Sequence, residues 1–325
     1  MRQTRGRRCC GYGVILLLLS FVPPLEAAET TLSPITPLIR EQSLSPEMVA
    51  LGEALFHDPR LSGDDSISCA SCHSLALSGV DQRVSSIGIQ GQVGTINAPT
   101  VFNSGYNFVQ FWDGRAATLE EQAAGPVANP IEMGAQWSEV VERLSSDQPL
   151  VAQFRRLFAE GLTAETIRQA LATFERSLVT MDAPFDRWLR GERDALSPAK
   201  LRGYRLFTQY GCISCHQGRL VGGNMYAKMG TMRNYFLDRG GEITPSDLGR
   251  FNVTGDEGDR HSFKVPSLRL AVKTMPYFHD GSVRSLAEAV DIMAKYQLGR
   301  TLSPRNNSDI VDFISALHGQ HPLLE

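Results

Sequence analysis

Past its first thirty residues the chain holds no apolar run long enough to cross a bilayer, which excludes a polytopic membrane protein. It also lacks an excess of charge: 32 Lys and Arg against 35 Asp and Glu leave a formal net charge of −3. With no sustained basic stripe either, there is no electrostatic case for nucleic acid. Strand signals are scarce, so the fold is expected to be mainly α. Cysteine is sparse too. Of six, Cys9 and Cys10 precede the one early apolar run, and the other four fall as two close pairs, Cys69 with Cys72 and Cys212 with Cys215.

That early run, Val14 to Val22, follows Arg2, Arg5, Arg7 and Arg8 and is too short to span a bilayer comfortably. Pro23-Pro24 and the small residues Ala27 and Ala28 come next. The pattern predicts a secretory signal over residues 1–27, cleaved near Leu25-Glu26-Ala27, with export to the periplasm and no stable membrane insertion afterwards. An uncleaved anchor is the alternative. A lipoprotein is disfavoured, because its lipidated cysteine would follow the run. The remaining residues, about three hundred, suffice for two domains with real cores.

The chain compared with itself looks duplicated. SPEMVALGEALF before the first cysteine pair resembles SPAKLRGYRLF before the second. In both, Ser-Pro (Ser45-Pro46, Ser197-Pro198) supplies an N-cap and a first-turn proline, and a Gly-x-x-Leu-Phe segment falls near the helix end. Further helices are expected over Thr163 to Val179, with Ile167, Leu171, Phe174 and Leu178 on one face, and after the capping-box starts Thr118-Leu-Glu-Glu121 and Ser285-Leu-Ala-Glu288. Long Gly-, Asn- and Pro-rich connections, Ser78 to Asn107 and Gly218 to Lys264, suit loops packed on a large flat cofactor. The expected organisation is two tandem domains, residues 28–185 and 186–325, with the boundary around Ala183-Pro184.

Each cysteine pair is followed at once by a histidine, giving CASCH (Cys69, Cys72, His73) and CISCH (Cys212, Cys215, His216). In such a run two thiols form thioethers with the haem vinyl groups while the histidine reaches the iron, so the two tandem domains are expected to be cytochrome c-like, each with one covalent haem near their interface. A redox CxxC or part of a zinc site is the alternative for a single occurrence, and two occurrences in a duplicated chain weigh against it. The opposite iron face decides each haem's role. For His216 the candidates are Met293, on the helix opening at Ser285, and Met275, in TMPYFHDG; spacing does not choose between them, and a core position is the alternative for either. A thioether would raise the potential and make this haem the electron reservoir. For His73, the stretch from Ser74 to Thr100 contains neither histidine nor methionine. The candidates there are Gln122 and Glu132, and a carboxylate beside an open iron suits general acid-base work on peroxide; a solvated surface glutamate is the alternative.

From about Ser45 to the C-terminus the chain resembles the bacterial di-haem cytochrome c peroxidases. Besides the haem motifs, the resemblance rests on LFHDPRLS (Leu55 to Ser62), NAPTVFN (Asn97 to Asn103), FWDGRA (Phe111 to Ala116), LEEQAAGP (Leu119 to Pro126), NPIEM (Asn129 to Met133), FKVPSLR (Phe263 to Arg269), PYFHDGS (Pro276 to Ser282) and QLGR (Gln297 to Arg300). It implies reduction of hydrogen peroxide to water, with Trp112 as an electron bridge between the haems, Gln122 and Glu132 lining the peroxide pocket, and Met293 as the favoured distal ligand. It further implies a calcium ion held by the Asn97 side chain and the carbonyls of Thr274 and Pro276, a monohaem cytochrome c or blue copper protein as electron donor, and a homodimer. Relatives that mature a quinone cofactor place a tyrosine at the Met293 position, so Met293 leans toward peroxidase. An oxidase of a protein or organic substrate and a non-enzymatic electron carrier or sensor are the alternatives.

One position departs from the family. Many members carry a histidine in a loop like SIGxxGQ that closes the first iron until the second haem is reduced, and here that position is Ile89. A hydrocarbon cannot ligate iron, so activity without reductive activation is expected, unless His57 or His261 reaches in instead. Residues 220–260 match the family poorly and are read as mobile or partner-binding.

Overall fold

The computed structural model describes residues 33–41 and 43–324, with Met1 and Gly6, so the expected signal segment falls, those two residues apart, outside the described residues. The α-helices of the described residues run in the order α1 (Pro46–Phe56), α2 (Cys69–Cys72), α3 (Leu119–Ala128), α4 (Trp137–Ser145), α5 (Gln148–Leu157), α6 (Ala164–Ser177), α7 (Pro184–Leu189), α8 (Pro198–Tyr210), α9 (Tyr235–Arg239), α10 (Phe251–Thr254), α11 (Leu286–Gln297) and α12 (Pro304–Ser315). The strands β1 (Tyr226–Lys228) and β2 (Ser262–Lys264) pair antiparallel, Tyr226 opposite Lys264. None of the described helices is long and apolar enough to cross a membrane.

Local chemistry sets the helix starts. Ser45 and Ser197 accept hydrogen bonds from the N–H groups of Met48 and Lys200, with proline next in each helix, where no donor is needed. Thr118, Thr163 and Ser285 cap α3, α6 and α11 in the same way. The predicted face of α6 is buried: Ile167, Leu171 and Phe174 belong to the first core with Leu178 just past the helix end.

The duplication reaches further than the repeated motif. α1 packs chiefly on α6, and α8 on α12. Gly52 and Gly203, the glycines of the two Gly-x-x-Leu-Phe segments, sit where the paired backbones touch: a methyl group on Gly52 would collide with the Ala170 carbonyl and Phe174 Cβ, and one on Gly203 with the Asp309 carbonyl and Phe313 Cβ. The phenylalanines repeat the match. Phe56 meets Phe174 at 5.2 Å between ring centroids and 58°, and Phe207 meets Phe313 at 5.1 Å and 56°. One apolar cluster gathers mostly residues 51–178 and a second gathers mostly residues 185–317, while Pro34–Glu325 pack as one compact unit.

Residues 220–260 are the segment read as mobile or partner-binding. They hold β1, α9 and α10, and Arg239 ties them down by pairing with the buried carboxylate of Asp247 at 2.7 Å and with Asp280 of the PYFHDGS motif at 3.0 Å. Burial of that network, with all partners supplied, fixes a segment whose short elements could not stand alone.

Candidate functional site

Cys69 and Cys72 bound the single turn of α2, and Cys212 opens a 3₁₀ turn directly after α8. All four thiols are free, and burial pushes those of Cys69 and Cys212 up to about 12 and about 11.

The two histidines are held alike. His73 Nδ1 lies 3.1 Å from the Gly79 carbonyl oxygen, and His216 Nδ1 lies 3.2 Å from that of Val221. A carbonyl only accepts, so Nδ1 carries the proton and Nε2 keeps its lone pair. Burial lowers both imidazole pKa values, that of His216 to about 4. Each ring is therefore neutral, in one tautomer and oriented by a backbone acceptor, which is the state a metal-ligating imidazole needs.

Around His216 the fold leaves a mainly apolar cavity walled by Cys212, Phe207, Leu268, Ile310 and Met293 among others. Met293 thus shares a cavity with His216. Met275 does not line it and is 39% exposed, so geometry separates the two methionines that spacing left equal. Trp112, Asn97, Thr274 and Pro276 border the same space. Trp112 donates its Nε1–H to the Asn97 carbonyl at 3.0 Å, and Asn97 Nδ2 donates to the Arg83 carbonyl at 2.8 Å. Asn107, also on the wall, has its Oδ1 buried with no hydrogen-bond partner. An apolar cavity lined by an ordered imidazole, a free thiol, a thioether and an orphaned polar atom fits a c-type haem.

Gln122 and Glu132 are not on that wall. Gln122 is half-buried on α3, and Glu132 lies in the turn beyond it. Asn129 Nδ2 donates to Glu132 Oε1 at 2.7 Å. Burial raises the pKa of Glu132, with Asn129 and Arg115 opposing. Its charge acts on the Cys72 thiol, which puts it beside the first motif.

Ile89 is clipped to the same turn. Its N–H donates to the Glu132 carbonyl at 2.8 Å, and its buried side chain packs against Gly134, where a methyl group would strike it. A small closed loop holds it there: Gly88 N–H bonds to the Gln92 carbonyl at 2.8 Å, Ile87 bridges Val93, and Gln92 Nε2 donates to the Pro130 carbonyl at 3.1 Å. The other histidines weighed for this face are engaged elsewhere. His57 is exposed at the C-cap of α1; His261 donates from Nδ1 to the Asp247 carbonyl at 2.7 Å and stacks on Phe236 at 4.1 Å.

Sequence reasoning passed over Asn129, Arg115 and Lys264, although each stands inside a motif it singled out, because a motif does not say which of its side chains is buried. Asn107 follows NAPTVFN closely and carried no signal at all.

Residues 46–194 match the family model described as di-haem cytochrome c peroxidase. The cytochrome c peroxidase Ccp of Escherichia coli (strain K12) is 47% identical over 294 residues, which are 90% of this chain and 63% of that protein; the chain therefore spans less than two thirds of that relative's length. The cytochrome c551 peroxidase of Nitrosomonas europaea is 45% identical over 291 residues, 89% of this chain and 85% of that protein. A crystal structure of a MauG-like protein associated with microbial copper homeostasis superposes with a TM-score of 0.73 at 28% identity, covering 95% of this chain and 96% of that one. With nearly half its residues shared along almost its whole length, the chain belongs to the di-haem cytochrome c peroxidase family.

Proposed function

We propose that the protein reduces hydrogen peroxide to water in the periplasm, drawing electrons from a monohaem cytochrome c or a blue copper protein. The observation that carries this reading is the unequal surroundings of two equally prepared histidines. His216 shares its cavity with the thioether of Met293, whereas the turn beside the first motif offers a carboxyl group and a hydrocarbon.

Two c-type haems, attached at Cys69/Cys72 and Cys212/Cys215 in tandem domains that meet near residue 185, would supply electron storage and O–O bond cleavage. His73 and His216 would each ligate a haem iron. Met293 would be the second ligand of the haem at His216 and would raise its potential, making it the reservoir. Glu132, fixed by Asn129 through Oε1, takes a proton from peroxide and returns it to the departing oxygen, and Gln122 holds that oxygen by a hydrogen bond. Trp112, anchored to the Asn97 carbonyl and packed with Met293 against the Tyr235–Phe236 cluster, carries the electron between the halves. With Ile89 supplying no ligand atom, a haem held by His73 would need no reductive activation. Calcium at the Asn97 side chain and the carbonyls of Thr274 and Pro276 belongs to the same proposal, since oxygen donors suit it, as does a homodimer.

The MauG-like structure favours one second reading, an oxidase acting on a protein or organic substrate. Peroxide consumption by purified protein with reduced cytochrome c separates the two: donor-dependent turnover supports the peroxidase, and peroxide uptake without donor oxidation removes it. The oxidised spectrum should show one open, cyanide-binding haem and one thioether-ligated haem; two closed haems that refuse cyanide in every oxidation state leave only an electron carrier.

A further inference from the structure

Lys264 ends β2, where pairing with Tyr226 and the bond from its N–H to the Trp112 carbonyl at 2.8 Å fix its backbone. Its side chain is only 7% exposed and lines the cavity shared by His216, Met293 and Trp112. Among the described residues no hydrogen bond or ion pair reaches its ammonium group, and the one charge that acts on it is Asp113. Burial accordingly lowers its pKa to about 8. An ammonium taken out of water without a close counter-charge is expensive, so proteins seldom bury one for packing alone. The same wall strands a second polar group, the Asn107 side chain, whose Oδ1 has no partner. Turned about its last bond, that amide presents two N–H donors to the same space, since the oxygen and nitrogen positions are interchangeable by a flip. An ammonium and an amide in an otherwise apolar cavity call for an anionic acceptor that arrives with the occupant. The negative groups of a haem are its two propionates.

We propose that Lys264, aided by Asn107, seats a propionate carboxylate of the haem held by His216 and Met293 and thereby sets how readily that haem is reduced. The inference rests on the haem site proposed above. A positive charge held in a poorly polarisable wall beside the iron favours the ferrous form, and the charge loses strength only slowly with distance there. Because the Lys264 N–H is bonded to the Trp112 carbonyl, the same residue holds the haem edge in register with the indole. Lys264 is thus a positioning residue and takes no part in bond-making.

The test compares wild-type holoprotein with Lys264→Met and Lys264→Arg by spectroelectrochemical titration and resonance Raman spectroscopy. In Lys264→Met the ferrous-to-ferric ratio of the thioether-ligated haem at a fixed potential is expected to fall about tenfold, which is about 59 mV for one electron. Lys264→Arg keeps the charge and should keep the potential, while the propionate bending band moves in both variants because the hydrogen-bond geometry changes. Should Lys264→Met fail to load haem, the band in Lys264→Arg decides alone. Unchanged potentials with an unmoved propionate band, or a shift confined to the other haem, overturn the proposal. Failure of the underlying haem site would look different: wild-type protein itself would then show no thioether-ligated haem.

Discussion

At Ile89 the side chain is buried against Gly134 while its N–H holds the carbonyl of Glu132, so the loop is already fastened to the turn that carries the carboxyl group. Ile89→His keeps that fastening and adds a nitrogen ligand, and oxidised protein should change from a spectrum with one open haem to one with both haems low-spin. Unaltered absorption and EPR spectra in the variant mean that residue 89 does not face the iron. Glu132→Gln keeps an oxygen for Asn129 but cannot move a proton. Turnover is expected to drop by on the order of a hundredfold or more, with haem content unchanged. Because burial raises the pKa of Glu132, the wild type loses its base as pH falls through that raised value, and this acid limb should vanish in the variant. A second carboxyl group speaks to stability. Glu175, buried on α6 and accepting from the Ser104 hydroxyl, is pushed up to about 7 by burial, against Ser104 and Arg176 and with Glu120 adding to the rise. A folded-state pKa above the unfolded one stabilises the protein below the ordinary glutamate range, and that contribution, roughly 3 kcal/mol, is lost as pH rises through about 7. Melting temperatures of Glu175→Gln between about pH 5 and about pH 8 should accordingly fall less than those of the wild type. Parallel curves would show that Glu175 does not titrate in this window.

The helix pairs α1–α6 and α8–α12 meet through one glycine each, and in both the partner offers a carbonyl and, four residues on, a phenylalanine. Gly52→Ala and Gly203→Ala should each cost at least the 1–3 kcal/mol typical of overpacking, since the colliding atoms are backbone and cannot swing away. Chemical denaturation measures both, and a neutral result at either site denies that pair its role. Ser-Pro starts, the Gly-x-x-Leu-Phe endings and the periodic face of α6 made the first member of each pair, and α6 itself, legible in the sequence. The second match was not legible, because Ala170 and Phe174 correspond to Asp309 and Phe313 only through their distances to a glycine. Nor were α9, α10 and the β1–β2 pair, whose order comes from the distant Arg239, Asp247 and Asp280 network rather than from local propensity. The site divides along the same line: motif spacing singles out both histidines, while the choice of Met293 over Met275 and the stranding of Lys264 depend on burial that only packing creates.

Across the whole described unit, the pair Asp186–Arg269 joins stretches far apart in the chain. Arg269 donates from both terminal nitrogens to the two carboxylate oxygens of Asp186 at 2.8 Å each, and neither side chain is accessible to solvent. Leu38 N–H donates to Asp186 Oδ1 at 3.3 Å, and Arg269 Nε donates to the Arg219 carbonyl at 2.6 Å. Residue 38, α7, the loop after His216 and the FKVPSLR motif are thereby tied at one buried point. The loop matters most, because Arg219 lies two residues before Val221, the carbonyl that orients His216. Arg269→Met leaves the Asp186 carboxylate buried without a counter-charge and should destabilise the protein by about 3–5 kcal/mol, whereas Asp186→Leu with Arg269→Met removes both charges and should recover a large part of that loss. The two centres should also respond unequally: the His216 haem spectrum is expected to broaden or disappear in Arg269→Met while that of the His73 haem persists, since Gly79, which holds His73, has no bond to this pair. Equal loss at both haems would mean that the buried pair supports the whole unit and not the second histidine's loop in particular.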